Sequence, residues 1–330
     1  MSQNKPLILF IRITENCNAG CFMCGFAQSK KQFYITLKQF KNIVDQASKA
    51  GIKMVRFTGG EPLLHPDIIT FVRLFKEKGI KTSIISNGFL LPEKYEKLIS
   101  NGLDQLVLSL DGSKAELHDR LRNLPGVFVN LTSSIKKIKS IQNNFLIRIN
   151  TVVSPLNIDD LENILKLLIN LNVDQWSIIP IKSKENLWEK VEKKELLKSY
   201  NRFQKKIKNI SKPELLGYSK KWAGRNKKEI EKYFDIGVGP TPKIECNLVD
   251  LIRFYVPSTD RLSPCNCASW RLSDVDFDTH FELSDLTGNK ITKMVDYLKI
   301  NGPKVCRGCE PINAFLAENP EIIDDNIFSF

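Results

Sequence analysis

Three cysteines, Cys17, Cys21 and Cys24, stand close to the start of the chain in the spacing C-x3-C-x2-C. Thiolate is the preferred protein ligand for iron–sulfur clusters and for zinc. A structural zinc ion normally takes four protein ligands, and no histidine or fourth cysteine lies near this group. Three thiolates on a cubane cluster leave one iron open to a substrate or cofactor. Zinc, or three plain buried thiols, is the alternative that spacing leaves open. Five further cysteines, Cys246, Cys265, Cys267, Cys306 and Cys309, fall in the last quarter or so of the chain. Cys306 and Cys309 form a C-x2-C pair, which lets two thiolates share one metal or cluster. In a reducing compartment such clustering points to metal or redox chemistry rather than to disulfides.

An α/β frame must hold these side chains. Strand-like runs occur at Leu7–Ile13, Met54–Phe57, Thr82–Ile85, Gln105–Leu110, Phe145–Val153 and Gln175–Ile179, with amphipathic stretches such as Leu37–Ala50, Ile68–Lys78 and Leu161–Leu171 between them. In the last stretch Leu161, Ile164, Leu165 and Leu168 recur at helical spacing and form one apolar stripe. Successive βα units imply a parallel sheet with right-handed crossovers. Six units are too few for a closed eight-stranded barrel, so the expected fold is a partial (β/α)6 barrel with ligands at the carboxyl ends of its strands. Cys17, Cys21 and Cys24 follow the first of those strands. From Lys182 the pattern becomes helical and basic to about Phe234, and Gly237, Gly239, Pro240 and Pro242 then read as a linker. A strand-like run at Leu248–Val256, a turn at Pro257–Asp260 and a return run ending at Pro264 predict a hairpin, followed by a helix around Ile291–Leu298. The expected organisation is therefore a barrel over 1–181, a basic helical segment and linker over 182–243, and a small α+β domain over 244–330.

Gly59, Gly60, Glu61 and Pro62 follow the second strand; Ser86, Asn87 and Gly88 close the third; "LSLDG", with Ser109 and Asp111, ends the fourth, and His118 and Arg122 come next in "HDRLR". Together with the cysteine spacing, this set resembles the radical S-adenosylmethionine (SAM) superfamily across the first half of the chain. The resemblance implies a [4Fe–4S] cluster on Cys17, Cys21 and Cys24, with SAM bound to its open iron. It also implies reductive cleavage of SAM to methionine and a 5′-deoxyadenosyl radical, and an electron donor such as flavodoxin or ferredoxin. Gly59, Gly60, Glu61 and Pro62 match the family's GGEP motif, in which glycine lets backbone approach a ligand and Glu61 can accept hydrogen bonds from an ammonium group. Ser86, Asn87, Ser109, Arg122 and Asn150 are the further SAM-contact candidates. The residue before the third cysteine is usually aromatic in the family and packs near adenine; here it is Met23, and methionine also packs on aromatic faces.

The later cysteines resemble the SPASM and twitch extensions of one branch of that superfamily. The resemblance implies one auxiliary [4Fe–4S] cluster on Cys246, Cys265, Cys306 and Cys309; a four-cysteine zinc knuckle is the alternative from spacing. Cys267 is left over as an alternate ligand, an inert thiol or a hydrogen-atom donor to a substrate radical. The expected substrate is a small hydroxylated molecule (a sugar, aminosugar or cyclitol) undergoing oxidation or epimerisation, with peptide or protein side-chain modification as the alternative. A non-catalytic iron–sulfur scaffold would leave the GGEP segment without a use.

The formal charge of +12 is concentrated between Lys182 and Lys232, either as a solvated helical face or as a docking surface for an acidic partner. No nucleic-acid-binding motif accompanies it. No signal peptide is recognisable, and no apolar run approaches the roughly 20 residues that span a bilayer, so the expected location is the cytoplasm.

Overall fold

The computed structural model describes residues 6–24, 32–181, 187–210, 215–216, 252–264 and 281–305. Eight strands make one sheet: β1 (Ile8–Thr14), β2 (Met54–Gly59), β3 (Lys81–Ser86), β4 (Gln105–Ser109), β5 (Leu146–Val153), β6 (Gln175–Pro180), β7 (Ile252–Val256) and β8 (Arg261–Ser263). Their order is β6-β5-β4-β3-β2-β1-β7-β8, so the sheet is an open one with β6 and β8 at its ends. The five crossovers that join β1 to β6 leave neighbouring strands parallel as expected, and strands such as β2, MVRFTG, read as largely apolar runs because both faces are covered.

The expected hairpin is present as β7 and β8, and its place in the sheet is beside β1. β7 pairs in parallel with β1, from Ile8 opposite Ile252 to Ile11 opposite Tyr255, and β8 returns antiparallel beside it. An unpaired β1 edge is a template for another strand, and the chain's own later segment fills it. The hairpin thus extends the barrel sheet.

Helices α1 (Leu37–Lys49), α2 (Ile68–Glu77), α3 (Leu91–Ser100), α4 (Ala115–Arg122), α5 (Val127–Ile141) and α6 (Leu161–Asn170) cover the outer face, and α7 (Lys193–Ile207) and α8 (Asn289–Val305) follow. α1 starts on a capping box in which Thr36 and Gln39 satisfy each other's backbone. Its Phe40 stacks on Phe71 of α2 with ring centroids 3.6 Å apart, and Phe57 and Phe75 close the cluster. In α7 Leu196, Tyr200 and Phe203 are buried, while Lys194, Lys198 and Lys205 are exposed, giving the first part of the basic segment its amphipathic form. Among the described residues no helix is long and apolar enough to cross a membrane.

Candidate functional site

Thr14, at the end of β1, is buried and starts the construction. Its hydroxyl donates to the Phe33 carbonyl at 2.7 Å and accepts from the Asn16 amide at 3.1 Å, while Asn16 Oδ1 accepts from the Phe33 amide at 2.9 Å. These bonds clamp the two stems of the cysteine loop. Inside the loop the Cys17 sulfur accepts from the Ala19 amide at 3.4 Å, and the Cys24 amide donates to the Cys21 carbonyl at 3.1 Å.

The Gly59-Gly60-Glu61-Pro62 segment packs directly on that loop. The Gly60 amide donates to the Thr14 carbonyl at 3.0 Å and the Glu61 amide to the Asn16 carbonyl at 2.7 Å. A Cβ on Gly59 would stand 2.1 Å from the Thr14 oxygen, and one on Gly60 2.1 Å from the Asn16 oxygen. Gly59 also has φ +144°, a conformation side chains disfavour. What these glycines admit first is therefore the chain's own backbone, a use that the ligand-centred expectation passed over.

Glu61 likewise faces inward to the protein. Its Oε1 accepts from the Leu63 amide at 2.9 Å and the Ser86 hydroxyl at 2.8 Å, and Oε2 from the Asn87 amide at 2.7 Å. Burial raises its pKa, and those three hydrogen bonds oppose the rise. The carboxylate ties the loop after β2 to the loop after β3. Asn87 extends the tie, donating from Nδ2 to Asn18 Oδ1 at 2.8 Å.

The fourth-strand segment brings charge. Asp111 is fully buried; Oδ1 accepts from the Val152 amide at 2.7 Å and Oδ2 meets Arg122 Nη2 at 2.7 Å. Arg122, at the end of α4, points its Nη1 toward Cys21 Sγ at 3.9 Å, and its carbonyl accepts from the Gly20 amide at 3.1 Å. Burial raises the Cys21 thiol pKa and the guanidinium partly offsets it; burial alone carries most of the rise of Cys17 to about 11. Loading metal on such thiols therefore releases protons. His118 supports the same corner by accepting from the Asp111 amide on Nδ1 at 3.0 Å.

These pieces surround one cavity of about 550 Å³ at the carboxyl ends of the strands. Cys17, Cys21, Cys24, Met23, Gly59, Gly60, Glu61, Ser86, Asn87, Ser109 and Arg122 all line it. Pro62 lies behind the wall, opening a short 3-10 turn. Asn150 is on β5 opposite Ser109 and outside the lining; its neighbour two residues on, Val152, takes the wall position. Arg12, Glu15 and Thr58 also line the cavity and escaped sequence reading, although alternation along β1 and β2 already turns Arg12 and Thr58 to one face. Cys246, Cys265, Cys267, Cys306 and Cys309 lie outside the described residues.

The donor set fits a cluster and its ligand. Three thiols share the cavity wall, the donor type that iron–sulfur clusters take. Arg122 lines the cavity, and its buried Nε has no hydrogen-bond partner among the described residues, an orphaned donor suited to a ligand carboxylate.

Residues 11–168 match the model of the radical SAM superfamily, a span that opens on β1, contains all three cysteines and closes in α6. They are a radical SAM domain. The domain's curated relatives include an AdoMet-dependent heme synthase of Methanosarcina barkeri, 32% identical over 48% of this chain and 46% of that protein. They also include a PqqA peptide cyclase of Ruegeria pomeroyi, 29% identical over 52% of this chain and 46% of that one. The chain thus spans about half the length of the curated relatives it matches. In fold, Streptococcus suis SuiB bound to S-adenosylmethionine superposes with a TM-score of 0.62 at 18% identity, over 91% of this chain and 68% of SuiB. Native anSMEcpe with bound AdoMet and a peptide gives 0.60 at 18% identity, over 90% of this chain and 83% of that one. Both likenesses extend the shared fold beyond the radical SAM domain itself.

Proposed function

We propose that this chain carries a [4Fe–4S] cluster on Cys17, Cys21 and Cys24, binds SAM beside it, and modifies a peptide or protein side chain by radical chemistry. The observation that carries the reading is the convergence of three thiols, the open Arg122 donor and the braced Glu61 loop on one cavity. The cofactors, when bound, supply one electron from the cluster to the SAM sulfonium and hence a carbon radical able to take hydrogen from an unactivated C–H bond. The chain's own work is to hold them. Arg122, fixed by Asp111, would offer its Nε to the SAM carboxylate, and Met23, on the cavity wall, would pack against the adenine. Gly59 and Gly60 keep the loop after β2 against the cysteine loop.

A sugar, aminosugar or cyclitol has no counterpart among the names of the relatives reported above, whereas a peptide does; that moves the substrate proposal to the peptide. The auxiliary cluster on Cys246, Cys265, Cys306 and Cys309, the hydrogen-donor role of Cys267, the electron donor (flavodoxin or ferredoxin) and the division at 181 and 243 are part of the same proposal. The test is anaerobic reconstitution followed by assay of 5′-deoxyadenosine with SAM and reductant. Wild type forms it, and a Cys17/Cys21/Cys24→Ala variant forms none. Stimulation by a dialysed macromolecular extract supports the peptide reading, whereas stimulation by the small-molecule fraction alone returns the sugar. Absence of deoxyadenosine from protein with an intact cluster overturns the proposal.

A further inference from the structure

Arg122 ends α4 against the middle cysteine, and it meets that segment through both backbone and side chain. Its carbonyl, one of those that the end of a helix leaves without an intrahelical partner, accepts from the Gly20 amide at 3.1 Å. Its guanidinium sets Nη1 3.9 Å from Cys21 Sγ. The Cys21 thiol also donates to the Arg122 carbonyl at 3.6 Å, and that proton leaves when the sulfur binds a metal as thiolate. Both residues are buried, so water screens little of the charge between them. The three guanidinium nitrogens differ in what they meet. Nη2 is held by Asp111 at 2.7 Å, Nε has no hydrogen-bond partner among the described residues, and Nη1 is turned to the sulfur. Cys17 has a neutral donor instead, the Ala19 amide at 3.4 Å from its sulfur. Arginine keeps its proton in proteins, and a charged donor makes the stronger hydrogen bond. Burial is the largest influence on the Cys21 thiol and raises its pKa; Arg122 opposes that rise more strongly than Asp111 adds to it.

We propose that Arg122 sets the reduction potential of the cluster through Cys21, its guanidinium donating to the Cys21 thiolate and favouring the core that holds one more electron. This rests on the radical SAM reading for the cluster, and it goes beyond the carboxylate contact given to Nε of the same side chain. The step is a one-electron reduction: a low-potential donor loses one electron, the oxidised core gains it, and no covalent bond forms or breaks. The added negative charge arises beside a fixed, buried cation, so the reduced core is stabilised more than the oxidised one. Hydrogen bonds to the sulfurs and local charge are the means by which a protein moves such potentials. Arg122 acts here through a ligand and is a positioning residue for the electron.

The test uses full-length wild type and Arg122→Gln, both reconstituted anaerobically without SAM, with iron and sulfide counted. Each is titrated with dithionite and mediator dyes, and the reduced cluster is read by electron paramagnetic resonance. The signal of a Cys17/Cys21/Cys24→Ala protein is subtracted, which removes any other cluster. Arg122→Gln is expected to keep its cluster at a lower midpoint. Its reduced-to-oxidised ratio at one set potential should fall about tenfold, or about 59 mV for one electron. Water let in by a loosened site would stabilise the more highly charged reduced core and raise the midpoint, so a fall reports the lost cation. Glutamine leaves Asp111 buried without its partner. If that variant fails to fold, the Asp111→Asn/Arg122→Gln pair is compared with Asp111→Asn alone, and the same fall is expected. An unmoved or higher midpoint overturns this inference and leaves the radical SAM reading standing. A wild-type chain that assembles no cluster on Cys17, Cys21 and Cys24 overturns both.

Discussion

His118 shows how one residue sets the chemistry of its neighbours. Its ring is fully buried and its Nδ1 accepts from the Asp111 amide, so burial and the nearby Arg122 charge depress its pKa to about 3. An unfolded histidine titrates near 6.5, so between those values the unfolded chain binds the extra proton, and stability falls as pH falls below about 6.5. From pH 7 to pH 5 the cost is roughly 2 kcal/mol at about 1.4 kcal/mol per pH unit. His118→Asn keeps an acceptor near the Asp111 amide and removes the titration. Urea unfolding at the two pH values should show the variant losing about that much less; equal losses would show that His118 does not stay neutral. Asp111 titrates in both proteins, so the difference isolates the histidine. At this scale, sequence alone placed Arg122 and Ser109 on the cavity because they sit in a recognisable run. It did not reveal that Glu61 would be engaged by Leu63, Ser86 and Asn87, or that Arg12 would join the wall, since both depend on packing between distant segments.

Among the elements, the contact between the cysteine loop and the segment after β2 is the one a small change should break. Gly60→Ala places a methyl group 2.1 Å from the Asn16 carbonyl, and backbone, unlike a long side chain, cannot swing aside. The expected cost is about 1–3 kcal/mol, with a drop in iron bound per chain after reconstitution. Unchanged iron content together with an unchanged urea midpoint would show that the two loops are not in such close contact. The six parallel strands were legible because strands buried on both faces read as apolar runs, and their ends shifted by only a residue or two. The position of β7 was not legible. Its sequence predicts a strand, but its partner is set by the free edge of β1, more than two hundred residues earlier.

Across the whole molecule, β2, β3 and β4 lie between other strands and under α1 to α5, whereas β8, a three-residue strand, is last in the sheet, with a single bridge from Leu262 to Phe281 beyond it among the described residues. Amide hydrogen exchange should therefore be slowest in β2–β4 and fastest in β8 among the strands, because opening the centre requires global unfolding. Equal protection across the sheet would mean that β8 opens only when the whole sheet does. The sheet's end could not be foreseen from the chain, because which strand is left at an edge is a property of the assembled sheet. The braces at the top of that sheet carry a further consequence. Thr14, Asn16, Asn18, Glu61, Ser86 and Asn87 hold the loops to one another through the chain's own atoms. Small metal domains whose folding depends on their ion have no shape to offer before it arrives. Here the loops around the three cysteines are braced by the chain's own hydrogen bonds, so that bracing does not draw on a bound ion.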